Sequence, residues 1–324
     1  MRDKLLREGN LLARLFHGPD QPIVQDQFGF SRTIPPFAGF IDLGNAHYEG
    51  TIGYHYARDG TWQQIVRGRQ LWMTDYRHFL DPSEGLYATS LLYGAILNNK
   101  LLKDFGELGR FMHLLRNWLI GNLEAITHFV CSLCINGDSL SLWREYAKEN
   151  GVALGLPLDA IQQYAKAREG LSIALVAYHP ADHAAVIMPL ASEIVEIING
   201  RGDEAFEEPL PPSTLDRFAR VAVSIKHMAY SAEQEVRIIS DRPVQGTFYR
   251  TVGRRERIRY TVLSLDVCLE AANAKYPPFP RITGSPGMDV EIISKTIREI
   301  KDDQSLERFP ANNFSLSDIP LIWE

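Results

Sequence analysis

Residues 232–239 read AEQEVRII, and how this octapeptide folds decides what the chain can be. In an extended strand, side chains alternate between faces, so Glu233, Glu235 and Arg237 fall on one face and Val236 and Ile238 on the other. The strand rise then sets the two carboxylates about 7 Å apart, near enough to act on one ligand and to perturb each other's ionisation. A charged face on an edge strand produces the same pattern, and Arg237 supplies an internal ion-pair partner for it. The pattern leaves both readings open.

Downstream, VRIIS, GTFYRTV and RERIRYTVLSL read as strands, the last alternating Ile258, Tyr260 and Val262 against Arg257, Arg259 and Thr261. Such succession is antiparallel in character. Upstream, helical spacing fits 157–169, 182–199 and 213–227, and strands fit 128–134, VALGL after Gly151, and 171–178. Residues 84–121 predict two or three helices, and Leu140 to Glu149 predicts another, capped by Asp138 or Ser139. Further back, IGYHY (52–56) is a strand, a short helix follows around Trp62 to Arg67 and stops at Gly68, and LWMT is a second strand. A last helix is expected at 289–303. The residues thus predict an α+β chain: a helical segment over 3–16 with an irregular arm to residue 48, then one domain over 49–324.

The chain has 324 residues, 45% of them hydrophobic and 23% charged, as in an ordinary globular protein. A formal net charge of −6 argues against wrapping duplex nucleic acid along a broad basic face. Three cysteines suit a reducing compartment. MRDKLLREGNLLARLF mixes charges into its apolar residues, unlike a signal peptide, and no stretch approaches the roughly 20 apolar residues of a membrane span. A cytoplasmic protein with no membrane partner is expected.

Four clusters carry potential chemistry. In YHY (54–56), His55 is donor and acceptor at once, suited to a ribose hydroxyl or to a structural contact. CSLC (131–134) has C-x-x-C spacing without a second pair, on a strand where i and i+3 face opposite sides, so no metal is expected and Ser132 is the residue of interest. SLWREYA (141–147) puts Trp143 and Tyr146 on one helix face, as core or as a surface for a planar base. AEQEVRII is the fourth. His179 and His183 lack a third metal ligand. RTVGRRERIRY holds five arginines, with Arg255, Arg257 and Arg259 on one strand face, solvated or facing a phosphate. No P-loop, dinucleotide-binding glycine turn, nucleophile elbow or kinase motif set occurs.

Taken in order, YHY…LWMTD, FLDPSEG, CSLCINGDSLSLWREYAKENGVALGL and KHMAYSAEQEVRII resemble the bacterial domain of unknown function family 2971, over roughly residues 50–240. FPRITGSPG and SLSDIP echo it in the tail. Asp81, Pro82 and Glu84 match its acidic Asp-Pro element, with Leu80 in place of a polar residue. The same order of a His strand, a Ser strand and a Glu-x-Glu strand is similar to the ADP-ribosyltransferase superfamily. That resemblance implies a split, largely antiparallel sheet with flanking helices and NAD as substrate. It implies His55 and Ser132 at the riboses, Glu235 as the catalytic carboxylate, and Glu233 assisting the acceptor. Tyr54, Tyr56, Trp143, Tyr146 and Arg237 would line the nucleotide site. CSLC departs from the Ser-Thr-Ser pattern, and Ala57 stands where Thr or Ser is common. The acceptor of ADP-ribose would be a protein, a nucleic acid or water, and the biological role that of a toxin or phage-defence effector. Two alternatives stand beside this: a non-catalytic nucleotide-binding sensor, and a nucleic-acid-binding effector.

Overall fold

The structure is a computed structural model that describes residues 52–78, 83–103, 107–252, 256–273, 279–289 and 314–319, with 291, 292, 294, 295 and 298. The predicted helix at 3–16, the arm to residue 48, Asp81, Pro82 and most of the predicted last helix lie outside the described residues. In chain order the elements are β1 (Ile52–Ala57), α1 (Thr61–Gly68), β2 (Gln70–Asp75), α2 (Ser83–Leu97), α3 (Leu108–Glu124), β3 (Phe129–Cys134), β4 (Val152–Pro157) and α4 (Leu158–Lys166). There follow β5 (Leu171–Leu175), α5 (Pro180–Arg201), α6 (Pro212–Ser224), β6 (Glu235–Ser240), β7 (Phe248–Val252), β8 (Glu256–Ser264), α7 (Leu265–Ala271), β9 (Arg281–Gly284) and β10 (Phe314–Leu316). The fold is mixed α+β, with flanking helices and a mostly antiparallel open sheet.

The chain forms two compact units. In the first, built from residues 83–126 and 177–228, α2 packs against α3, α5 and α6. Apolar residues at helical spacing, among them Leu92, Ile96, Leu115, Ile187, Ile194 and Phe218, make its core. Asn122 bridges two stretches of backbone, donating to the Trp118 carbonyl at 2.8 Å and accepting the Leu210 N–H at 2.8 Å. Lys226 and Glu84, both buried, form an ion pair at 3.0 Å.

The second unit holds the sheet, in the order β10-β9-β4-β1-β3-β2-β8-β7, with β6 pairing β3 and β5. The decisive element is β3. Along one edge it pairs with β6 from Phe129↔Ser240 to Cys134↔Glu235. The opposite edge is shared, since β1 meets it at Tyr54↔Cys134 and β2 at Thr74↔Val130 and Asp75↔Phe129. Between those contacts the sheet forks around Ser132.

Several expectations are corrected. β6 starts at Glu235, whereas Glu233 ends a 3-10 turn over Met228–Glu233 and Gln234 adopts a left-handed φ of 45°. Period-2 geometry therefore does not relate Glu233 to Glu235. The helix expected over Leu140 to Glu149 is a single turn, Leu140–Leu142, that widens into a π-helix over Trp143–Ala147. β8 runs into α7, which the strand reading of RERIRYTVLSL did not anticipate.

Candidate functional site

Cross-strand partners share a face of a sheet, so the ladder orders the candidate residues. Tyr54, Cys134 and Glu235 make one row across β1, β3 and β6, and Ser132 and Arg237 make the next. Glu235 and Arg237 lie two apart on that face, and Arg237 Nε donates to Glu235 Oε2 at 2.7 Å. Both are buried, with 5% and 1% of their side chains exposed. Such a pair survives burial because each charge compensates the other.

His55 alternates to the other face from Tyr54 and Tyr56. Its Nδ1 lies 3.2 Å from the Ser132 carbonyl, which sits where neither β1 nor β2 pairs with β3. A carbonyl only accepts, so Nδ1 carries the hydrogen and Nε2 is the acceptor of the neutral ring. Burial holds the imidazole below its ordinary pKa, against the opposing pull of the Ser132 carbonyl. The ring thereby satisfies the backbone oxygen exposed by the fork.

The aromatic candidates are largely spent on packing. Trp143 has no exposed surface, meets Tyr56 edge-on at 4.8 Å, and donates its indole N–H to Asp138 Oδ1 at 2.7 Å. Ser317 donates to the same oxygen at 2.6 Å. Tyr56 donates its hydroxyl to the Asn136 carbonyl and accepts the Ser139 N–H, each at 3.0 Å. Tyr54 packs so closely on Gly137 that a Cβ there would lie 2.4 Å from the ring, and its hydroxyl accepts from Arg281 at 3.3 Å. These contacts seat residues 135–147 on β1 and β3. Trp143 as a stacking platform for a base is accordingly corrected to a core anchor.

Tyr146 differs. It is half-buried, and its hydroxyl donates to Glu233 Oε1 at 3.3 Å, while Arg58 Nε donates to its carbonyl at 3.2 Å. The site therefore has two carboxylates in different settings: Glu235 buried against Arg237, and Glu233 half-buried against a phenol. They are joined through Gln234, whose carbonyl accepts the Ile135 N–H at 3.1 Å.

The segment 142–238 matches the family described as protein of unknown function (DUF2971). This covers less than half of the chain. It takes in Trp143, Tyr146, Glu233, Glu235 and Arg237, while β1 and β3 precede it. No curated protein and no solved structure matches the chain.

Among the described residues, no group of three or more His, Cys, Asp or Glu is placed to hold a metal ion, and no helix is long and apolar enough to cross a membrane. Cys131 and Cys134 are buried thiols, and burial pushes the Cys131 thiol up to about 12. Sequence reasoning missed Asp138, Arg281 and the cluster that Asp75 and Arg77 form with Arg259, an arginine read from sequence as solvated or facing a phosphate. The first two are a helix-cap candidate and a lone arginine in sequence, and only the folded chain brings them to the site.

Proposed function

We propose that this protein cleaves NAD at the bond between nicotinamide and ribose and transfers ADP-ribose, with Glu235 as the carboxylate that faces the developing charge. The observation that carries this reading is the pairing of one buried, fixed carboxylate with a second, half-buried one at the end of a forked sheet. When the glycosidic bond breaks, its electron pair leaves with nicotinamide and positive charge develops on the ribose. A carboxylate held in a low-dielectric setting stabilises that state. Glu233 accepts the proton of the attacking nucleophile as the new bond to the sugar forms, and Tyr146 orients that carboxylate. Ser132 takes a ribose hydroxyl in this reading, which its half-buried position beside Arg237 in the ladder supports. His55 acts as a positioning residue that keeps β1 and β3 in register at the fork.

The test is incubation of the purified protein with NAD, with and without cell extract to supply acceptors, following free nicotinamide by chromatography. Glu235→Gln keeps the side-chain volume and an acceptor for Arg237 but leaves that buried cation without its counter-charge. Its rate is therefore compared at a temperature where circular dichroism shows both proteins folded, and there it should fall about a hundredfold or more. Absence of release by the wild type in both conditions would sink the reading.

One observation favours a second function, a nucleotide-binding sensor without turnover: the Glu235 carboxylate is already engaged by Arg237. That reading expects NAD or a mononucleotide to raise the melting temperature with no nicotinamide released.

A further inference from the structure

The outer part of the sheet in the second unit carries an arrangement that the NAD reading does not use. On β2, β8 and β7 the ladder sets Trp72 opposite Val262, and Tyr260 between Thr74 and Phe248. All of them share one face. The Trp72 and Tyr260 rings lie 4.8 Å apart and tilted by 30°, and Tyr260 and Phe248 are 5.6 Å apart with the same tilt. Trp72 is 38% exposed and Phe248 45%. The row is preset by Thr261, on the opposite face, which accepts from the Val244 and Gln245 N–H groups and donates to the Gly246 carbonyl, fixing the chain just before Phe248.

Arg250 stands on the aromatic face, its guanidinium 5.6 Å from the centre of the Trp72 ring. Its Nε is buried and meets no acceptor among the described residues, and its other contact there is a long 3.4 Å bond to Thr74. A cation so poorly supplied with acceptors suits an incoming anion. Of the three arginines singled out on one strand face in the sequence, Arg255 lies outside the described residues, and the other two behave otherwise: Arg259 is bonded to Asp75, and Arg257 lies over Tyr249, both on the opposite face.

We infer that the Trp72–Tyr260–Phe248 face binds single-stranded nucleic acid, with bases stacking along the aromatic row and a phosphate on Arg250. Stacking tolerates any base and needs few charges, so a local platform of this kind is compatible with a net charge of −6. A row of three rings is longer than one base requires, which favours a strand over a free nucleotide. Through Thr74↔Val130 and Ser132↔Arg237 this face continues to the one bearing Glu235, although the inference does not depend on NAD cleavage.

Fluorescence anisotropy with a labelled single-stranded oligonucleotide of about 15 residues tests it. The full chain should bind, and Phe248→Ala and Arg250→Gln should each weaken binding about tenfold. Arg250→Gln should also reduce the slope of log affinity against log salt by about 0.7. Tyr249→Ala, altering a more exposed ring on the opposite face, should change nothing. No binding, equal loss in the Tyr249 variant, or wild-type affinity in both platform variants would overturn the inference. So would stoichiometric displacement of the oligonucleotide by NAD, because the face would then hold the free dinucleotide.

Discussion

Asp75 has no exposed surface, and its carboxylate is held there by four donors. The Arg77 backbone N–H and Nε each donate at 3.1 Å, Arg77 Nη2 at 2.8 Å and Arg259 Nε at 2.6 Å. Burial by itself would raise the pKa of this group, but the two guanidiniums outweigh it and hold the carboxyl below its ordinary value. Its contribution to stability is therefore present above the ordinary carboxylate pKa and is lost as pH falls through the folded value. Asp75→Asn keeps the shape and removes the charge. It should cost about 3 kcal/mol, the low end for breaking a buried pair, because both arginines reach solvent. The urea midpoint reads this directly, and a wild-type midpoint in the variant would mean that the arginines find equal partners in water.

At the scale of elements, Thr261 shows how a side chain fixes a connection. Its hydroxyl accepts from Val244 N–H at 2.9 Å and Gln245 N–H at 3.2 Å and donates to the Gly246 carbonyl at 2.8 Å. Thr261→Val preserves the branching and strands those groups, so a loss of about 2 kcal/mol is expected, with faster amide exchange at Val244. Unchanged exchange would show that the connection is held by other means. The same residue marks what the sequence did not disclose: alternation along β8 groups Thr261 with Arg257 and Arg259, yet it is fully buried, because the 244–246 connection lies against it. β1, β3 and β6 were legible, since β-branched and aromatic residues of short strands stand between clear turn residues. The break between Glu233 and Glu235 was not legible. It rests on a left-handed Gln234, and glutamine carries none of the local signal that Gly or Asn does at such a position. The spacing of Trp143 and Tyr146 read as an α-helical stripe, and the π-helix turns it into one core anchor and one half-buried phenol. For α7 a signal existed, because Ser264 caps it by accepting the Val267 N–H, but the apolar run from β8 masked it.

Each unit holds one histidine below its ordinary pKa against a backbone carbonyl, and this contributes to the loss of stability in mild acid. His55 faces the Ser132 carbonyl at 3.2 Å, and His183 Nε2 faces the Ala177 carbonyl at 2.9 Å beside the Tyr87 ring. Burial is the largest influence on both and lowers their pKa, while the carbonyls oppose it. The unfolded chain takes up these protons near the ordinary histidine value of about 6.5, and the native state resists until lower pH. Between the two pKa values the unfolded state binds more protons, so stability rises with pH in that window and is lost as pH falls below about 6.5. Asp75 contributes nothing to this loss, because its window lies below the ordinary carboxylate range. Urea unfolding at pH about 7.5 and about 5.5 should therefore show a lower midpoint in acid. His55→Gln and His183→Gln should each reduce the difference, since glutamine offers the carbonyl an N–H that does not titrate. Equal wild-type midpoints at the two pH values would mean that both imidazoles protonate as readily in the folded chain as in the unfolded one, and the burial that lowers them would then have no energetic weight.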